Sequence, residues 1–211
     1  MTTVAGRDGR TRRRLLEVAT RLFADRGFKH VTVRAICQEA RANVAAVNYH
    51  FRDKLSLYRE VLDEAMSMIT ALTEEAIRAG AGLPAEGRLR AYVKVHTRHV
   101  FRHGRTTVVQ QLLHREFQDP TKALESLIDR VWRPRFEYLA GIVGELLNLP
   151  ADDPRVTRCA ISIHLQVIMI RPSPAMERMG HKVKRVFSAR AVAEHIAAFS
   201  LAGLDAYRER R

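Results

Sequence analysis

An all-α fold is predicted by three features of the sequence. Apolar residues recur every three to four positions over most of the 211 residues, Gly and Pro fall between those stretches, and no segment alternates as a half-buried strand does. A hydrophobic fraction of 46% supports a substantial core and excludes global disorder. No internal repeat is present, and the length suits one large domain or a small domain joined to a medium one.

The elements follow in order. Residues 1–10 have no apolar period and read as a flexible arm, basic at Arg7 and Arg10. From Thr11 the period is helical, with Leu15, Ala19, Leu22 and Phe23 on one face, and Gly27 is placed to end that helix. Thr32 reads as the N-cap of a short helix carrying Val33, Ile36 and Ala40. A break at 41–43 precedes a third short helix through Val47 and Phe51. Asp53 caps a long fourth helix that keeps its period to about Ala79, and residues 79–87 form the clearest linker. Further helices are predicted over 86–103, 105–117, 121–148, 153–171 and 188–208, with breakers at Pro150 and at Pro172 and Pro174. Pro134 is expected to start or kink a helix. The total is about nine helices.

Charge is concentrated at the N-terminus. Residues 1–54 hold 12 Lys/Arg against 5 Asp/Glu, within a chain of net charge +13. Such a module binds polyanions through phosphate neutralisation and counterion release. Cys37 and Cys159 form no CxxC pair, which argues against a disulfide framework or zinc module, and both read as core thiols. The N-terminus lacks the apolar stretch of a signal peptide. The longest apolar-looking run, 160–170, is too short to span a bilayer, so a cytoplasmic protein is expected.

Three short helices, the last two joined by a tight turn, are the geometry that lays a recognition helix in the major groove. Val47 and Phe51 hold the third helix inward, and its other face shows Ala45, Asn48 and Tyr49. Small Ala side chains permit close approach to the bases, and Asn pairs with an adenine edge. Tyr49, His50 and Lys54 suit phosphate contacts where the helix leaves the groove, and Thr32 and Arg34 suit the opposite phosphate. Val44 either packs inward beside Val47 or faces a thymine methyl. Arg7, Arg10, Arg12, Arg13 and Arg14 either enter the minor groove or contact phosphates loosely.

The stretch from Thr11 to Leu62 closely resembles the N-terminal domain of TetR-type regulators. The likeness is carried by Leu15, Leu16, Ala19, Leu22, Phe23, Gly27, Phe28, Thr32, Val33, Ile36, Ala40, Tyr49, His50, Phe51, Lys54, Leu57 and Tyr58. It implies a homodimer on a pseudo-palindromic operator. It also implies base reading by Asn43, Val44, Ala45, Ala46 and Asn48, with phosphate contacts from Tyr49, His50 and Lys54. One departure is Arg41, where the family usually has Gly. A positive φ there would strain an Arg. Arg41 reads as an added phosphate contact in preference to an altered turn.

The segment 112–143 resembles the C-terminal domain of one TetR branch, related to the cefoperazone- and chloramphenicol-sensitivity regulator. Arg115, Glu116, Pro120, Thr121, Ala123 and Pro134 carry this likeness, with Ser162 and Gln166 later. It implies a small-molecule pocket and a four-helix dimer seam from the last two long helices. Ala160, Ile163, Val167, Ile170, Val192, Ile196, Phe199 and Leu204 supply apolar faces for that seam. Candidate pocket groups are His99, Gln110, His114, Arg115, Glu116 and His164, each also open to a structural role.

His96, His99 and His103 share a helical face with metal-ligand spacing, but Arg98, Arg102 and Arg105 lie close by and repel a cation. No metal or cofactor is expected. Nothing pairs a nucleophile with a base; Ser162 and His164, two apart on a helix, do not face each other. The expectation is a two-part regulator and no enzyme. Residues 1–54 read operator DNA, and 55–211 dimerise and bind an effector that releases the DNA. Repression rather than activation follows from the family alone. A non-specific architectural DNA binder and a metal-sensing repressor are the alternatives.

Overall fold

In a computed structural model, the structure describes residues 4–102, 108–170, 178 and 188–208, without the side chains of 4–7, 108–110 and 117. These residues form α1 (Val4–Arg26), α2 (Val33–Glu39), α3 (Val44–Phe51), α4 (Lys54–Gly80), α5 (Ala85–Arg102), α6 (Val108–Gln118), α7 (Leu124–Leu127), a π turn (Ile128–Trp132), α8 (Arg133–Leu147), α9 (Pro154–Met169) and α10 (Ala189–Arg208). No strand occurs among them. Since α7, the π turn and α8 run on without a break, the all-α expectation of about nine helices holds.

Local chemistry places the helix ends. Gly27, at φ 78°, closes α1 by donating its N–H to the Phe23 carbonyl at 2.9 Å. Thr32 caps α2 by accepting from the Ala35 N–H at 3.1 Å, and Asn43 caps α3 by accepting from the Ala45 N–H at 3.0 Å. Asp53 accepts from the Ser56 N–H at the start of α4, and this bond lowers its pKa. Pro134 sits in the first turn of α8, directly after the π turn. Widening the helix there relieves the clash between the proline ring and the carbonyl four residues earlier.

One expectation is corrected. The N-terminal segment is helical from Val4 and is no free arm. Beyond the apolar period, polar contacts hold the start of α1: an ion pair from Arg12 to Glu60, and the Asp8 carboxylate 3.3 Å from His50 Nε2.

The described chain forms two compact units. The first comprises α1–α3, α4 as far as Met68, and α6 with the residues to Ile128. Its core gathers Leu15, Phe23, Ile36, Val47, Leu57, Tyr58, Leu62 and Leu112, all buried. Phe23 meets Tyr58 edge to face at 4.9 Å. The second comprises α4 from Ile69, α5 and the chain from Asp129 onward, and its core holds Leu89, Tyr92, Val93, Leu139, Ile142, Val156 and Ile196. In it α10 packs chiefly on α5. Cys37 is buried and Cys159 half-buried; burial raises both thiol pKa values.

Candidate nucleic-acid interface

The turn between α2 and α3 is tight. Ala42 N–H bonds the Cys37 carbonyl at 2.9 Å, and Arg41 takes φ 50°. The positive φ anticipated at this departure is therefore present on an Arg. Its side chain projects to solvent, while its carbonyl accepts from Arg14 Nη2 at 3.1 Å. That bond from α1 holds the strained turn in place.

α3 is pinned by Val47 and Phe51, with the Arg12 guanidinium over the Phe51 ring at 5.1 Å. The opposite face is open. Val44 is 45% exposed and Tyr49 76%, and Asn43, Ala45 and Asn48 are exposed as well. Val44 thus faces outward, not toward Val47. Ala46 is half-buried. Thr32 and Arg34 stand exposed at the start of α2, Thr32 with its hydroxyl already used as a cap.

Two residues expected at phosphates are engaged within the protein. Lys54 donates its ammonium to the Phe28 and Val31 carbonyls, both at 3.0 Å, and lies over the Phe28 ring at 4.2 Å. Of its three N–H donors, one is left for a phosphate. Lys54 is first a clamp that fixes the α1–α2 loop to α4. The His50 side chain is only 7% exposed and faces Asp8, so a phosphate contact through its ring requires Asp8 to give way. Sequence reasoning passed over Arg52. It is exposed at the end of α3 with φ 71°, and like Arg34 and Arg41 it makes no ion pair among the described residues. Its placement on a left-handed C-cap carried no periodic signal.

The second unit contains a buried polar cluster. Tyr92 and His96 on α5 are fully buried, and their rings lie 4.1 Å apart. Tyr92 Oη and His164 Nδ1 on α9 form a hydrogen bond at 2.8 Å, and Trp132 meets the His164 ring edge to face at 5.3 Å. Arg135 on α8 donates from Nε to Thr73 Oγ1 at 3.2 Å and from Nη2 to the Ile69 carbonyl at 3.4 Å. Burial, then the charge of Arg135, holds His164 down at about 4 and keeps His96 well below its ordinary range. Burial likewise raises Tyr92 to about 12.

Two family models match the chain. That of the TetR family of bacterial regulatory proteins matches residues 15–61, and that of the C-terminal domain of the HTH-type transcriptional dual regulator CecR matches residues 85–204. The chain belongs to the TetR-type transcriptional regulators, with a CecR-type C-terminal domain.

Solved structures share the fold of this TetR-type regulator. A TetR-like regulator from Rhodococcus sp. RHA1 aligns over 92% of this chain and 96% of its own, with TM-score 0.61 and 16% identity. The ketosteroid transcriptional regulator KstR2 of Mycobacterium tuberculosis aligns over 96% of both chains, with TM-score 0.61 and 21% identity. The hemolysin II transcriptional regulator HlyIIR aligns over 89% of this chain and 97% of its own, with TM-score 0.61 and 20% identity. At such identities the likeness is one of fold. No curated protein matches the chain.

The expected pocket residues of this TetR-type regulator divide between the units. His164 lies in the buried cluster, and His99 is half-buried on α5. The Gln110 side chain is outside the described residues. His114, Arg115 and Glu116 belong to the first unit instead. Glu116 is buried and accepts from Tyr58 Oη at 2.7 Å, and from the Thr121 N–H at 2.8 Å and hydroxyl at 2.7 Å. Arg115 donates to the Asp25 carbonyl, and His114 is exposed. Arg115 and Glu116, neighbours in sequence, point to different partners 90 and 58 residues away. The histidine face is not presented as one. His96 turns inward and bonds the Tyr92 carbonyl at 2.8 Å, and His103 lies outside the described residues. No cluster of three or more metal-ligating side chains occurs among the described residues.

The stripe expected for the dimer seam is also corrected. Ala160, Ile163, Val167, Val192, Ile196 and Leu204 are buried in the core of their own unit, and Ile170 is half-buried. The apolar residues that α9 and α10 leave open are Ile161, Leu165 and Met169, four apart, with Phe199 and Tyr207. Phe199, 63% exposed, is the one member of the expected set among them. No helix among the described residues is long and apolar enough to cross a membrane.

Proposed function

We propose that this chain is a cytoplasmic, ligand-responsive transcriptional repressor and no enzyme, binding a palindromic operator as a homodimer. Residues 1–54 read DNA; residues 55–211 dimerise and bind the effector. The observation that carries the DNA half is the open face of α3. Val44, Ala45, Asn48 and Tyr49 stand outward together, and Arg34 on α2 with Arg41 and Arg52 at either end of α3 are exposed and make no ion pair among the described residues. Such a face offers an apolar and amide surface to base edges, with cations on the same two helices for phosphates. The row Ile161, Leu165 and Met169 with Phe199 supports dimerisation, because a second copy of the same row covers it under two-fold symmetry.

The dimer presents its two recognition helices about 34 Å apart, one turn of DNA. Effector binding favours a second arrangement of the helices, and affinity for the operator falls by the effector's preference for that arrangement. A gel-shift series on the DNA upstream of the gene, against random duplex, tests the reading. A preferred palindromic site is expected, with affinity falling by about a thousandfold or more between 50 and 200 mM salt if about six phosphates are neutralised. Equal affinity for all duplexes points to an architectural binder instead.

A further inference from the structure

Arg135 is a cation without a counter-ion. Its guanidinium is drawn into the second unit, where burial lowers its pKa, yet no carboxylate pairs with it among the described residues. An arginine does not escape this cost by losing its proton. A partly desolvated charge lacking an opposite charge is costly, and an anion bound beside it offsets that cost. The two printed bonds, to Thr73 Oγ1 and the Ile69 carbonyl, use two of the five guanidinium donors.

Among the described residues, the surroundings contribute no negative charge. Tyr92, His96 and His164 all lie within reach of the Arg135 charge, and both imidazoles are held neutral. His96 Nδ1 faces a carbonyl, so it donates, and Nε2 is left as a bare acceptor. That Nε2 is buried and has no partner among the described residues. Tyr92, Trp132 and Tyr138 line the vicinity with aromatic surface, and Arg135 itself is half-buried, so solvent reaches part of its side chain. The π turn immediately before α8 is a form of helix found frequently at functional sites.

A basic groove of about 470 Å³ also lies in this unit between α5 and α10, lined by Arg90, Lys94, Arg98 and Arg190. Arg90, Arg98 and Arg190 already have carboxylates, in Glu86, Glu75 and Glu194 respectively, and Lys94 is exposed to solvent. The unmet demand for negative charge is at Arg135.

We propose that Arg135, with His96 and His164, binds a small organic acid. Its carboxylate docks on the guanidinium fork, its apolar body lies against Tyr92 and Trp132, and a hydroxyl donor on it satisfies His96 Nε2. This inference rests on the regulatory reading and gives its effector a chemical class. It also gives the effector a lever. Both protein partners of Arg135 are on α4, and α4 continues from this unit into the DNA-reading one. A bidentate carboxylate on the remaining donors pulls on the same guanidinium that holds Ile69 and Thr73.

The test is thermal melting of the full chain at constant ionic strength with millimolar 3-hydroxybenzoate or 6-hydroxyhexanoate, each against its own amide. At least one acid is expected to raise the melting temperature by about 3 °C or more, and its amide to leave it unchanged. Arg135→Gln abolishes the shift, and Arg135→Lys, which keeps the charge and loses the fork, weakens the acid's affinity about tenfold. Far-UV circular dichroism checks that both variants fold. The wild-type comparison of acid with amide needs no variant. Equal effects of acid and amide, no shift with either acid, or a full shift in Arg135→Gln overturns the site. The gel-shift competition is run on the same preparations. Selective DNA binding with no acid response refutes the organic-acid site alone, whereas absence of selective DNA binding refutes the regulator reading.

Discussion

Replacing Glu116 with Ala tests whether this buried carboxylate is a structural post of the DNA-reading unit. The side chain is 1% exposed, and it accepts one bond from Tyr58 Oη and two from Thr121. Hydrogen bonds to a charged group contribute about 1.5–3 kcal/mol each, and a buried donor left without a partner costs about 1–3 kcal/mol. The three bonds are not additive, and Thr121 is half-buried, so water replaces part of its loss. Tyr58 is 2% exposed, so its hydroxyl has no such remedy. We expect Glu116→Ala to cost about 3–4 kcal/mol, a fall in melting temperature of roughly 10 °C at fixed protein concentration. Glu116→Gln keeps the acceptor for Thr121 and should cost about 1–2 kcal/mol. A double-mutant cycle with Tyr58→Phe should return a coupling of about 1–3 kcal/mol. A cost below about 1 kcal/mol for Glu116→Ala, with normal melting and a lost effector response, would refute the structural assignment.

Three further outcomes are expected. Arg41→Gly relieves the left-handed backbone and should raise stability by up to about 1 kcal/mol, while DNA affinity and its salt slope fall through the lost charge; a lower melting temperature contradicts the strain argument. His164 is held at about 4 against an ordinary value of 6.5. A depressed folded pKa means the unfolded chain binds the proton first, so this stability is complete above pH 6.5 and is lost as pH falls toward 4. The loss is of order 3 kcal/mol at most, and His164→Gln should flatten that part of a urea-melt pH profile. Finally, Leu165→Glu with Phe199→Glu places charge on the open apolar row and should turn a dimer into a monomer in sedimentation equilibrium without lowering helicity; an unchanged dimer places the seam elsewhere.

The helix boundaries were legible because their causes are local. Thr32, Asn43 and Asp53 bond N–H groups two or three residues away, and Gly27 bonds four residues back. The outward face of α3 was equally legible, since Val47 and Phe51 fix its rotation. The failures arise where the deciding partner is far along the chain. Glu116 is a helix residue beside Arg115 in sequence, but its bond to Tyr58 spans 58 residues. Arg135 lies between Pro134 and Phe136 at a helix start, where a charge ordinarily faces water, and only its contacts with α4 and α5 draw it partly inward. On α9 the rows 160, 163, 167 and 161, 165, 169 are both apolar, and periodicity does not choose which of them faces its own core.

The return of α6 to the first unit sets how this protein is divisible. The chain crosses between units after Met68, again before Thr106 and again after Ile128, so neither unit is a continuous stretch. A fragment ending near residue 54 lacks Tyr58, Leu62 and Leu112, all buried core members, and strips α1 of the helix packed on it. Such a fragment is expected to expose apolar surface and aggregate. Recombination that exchanges the DNA-reading part between relatives therefore has two segments to carry, 1–68 and 106–128, with Glu116 travelling alongside the Tyr58 it was selected to meet.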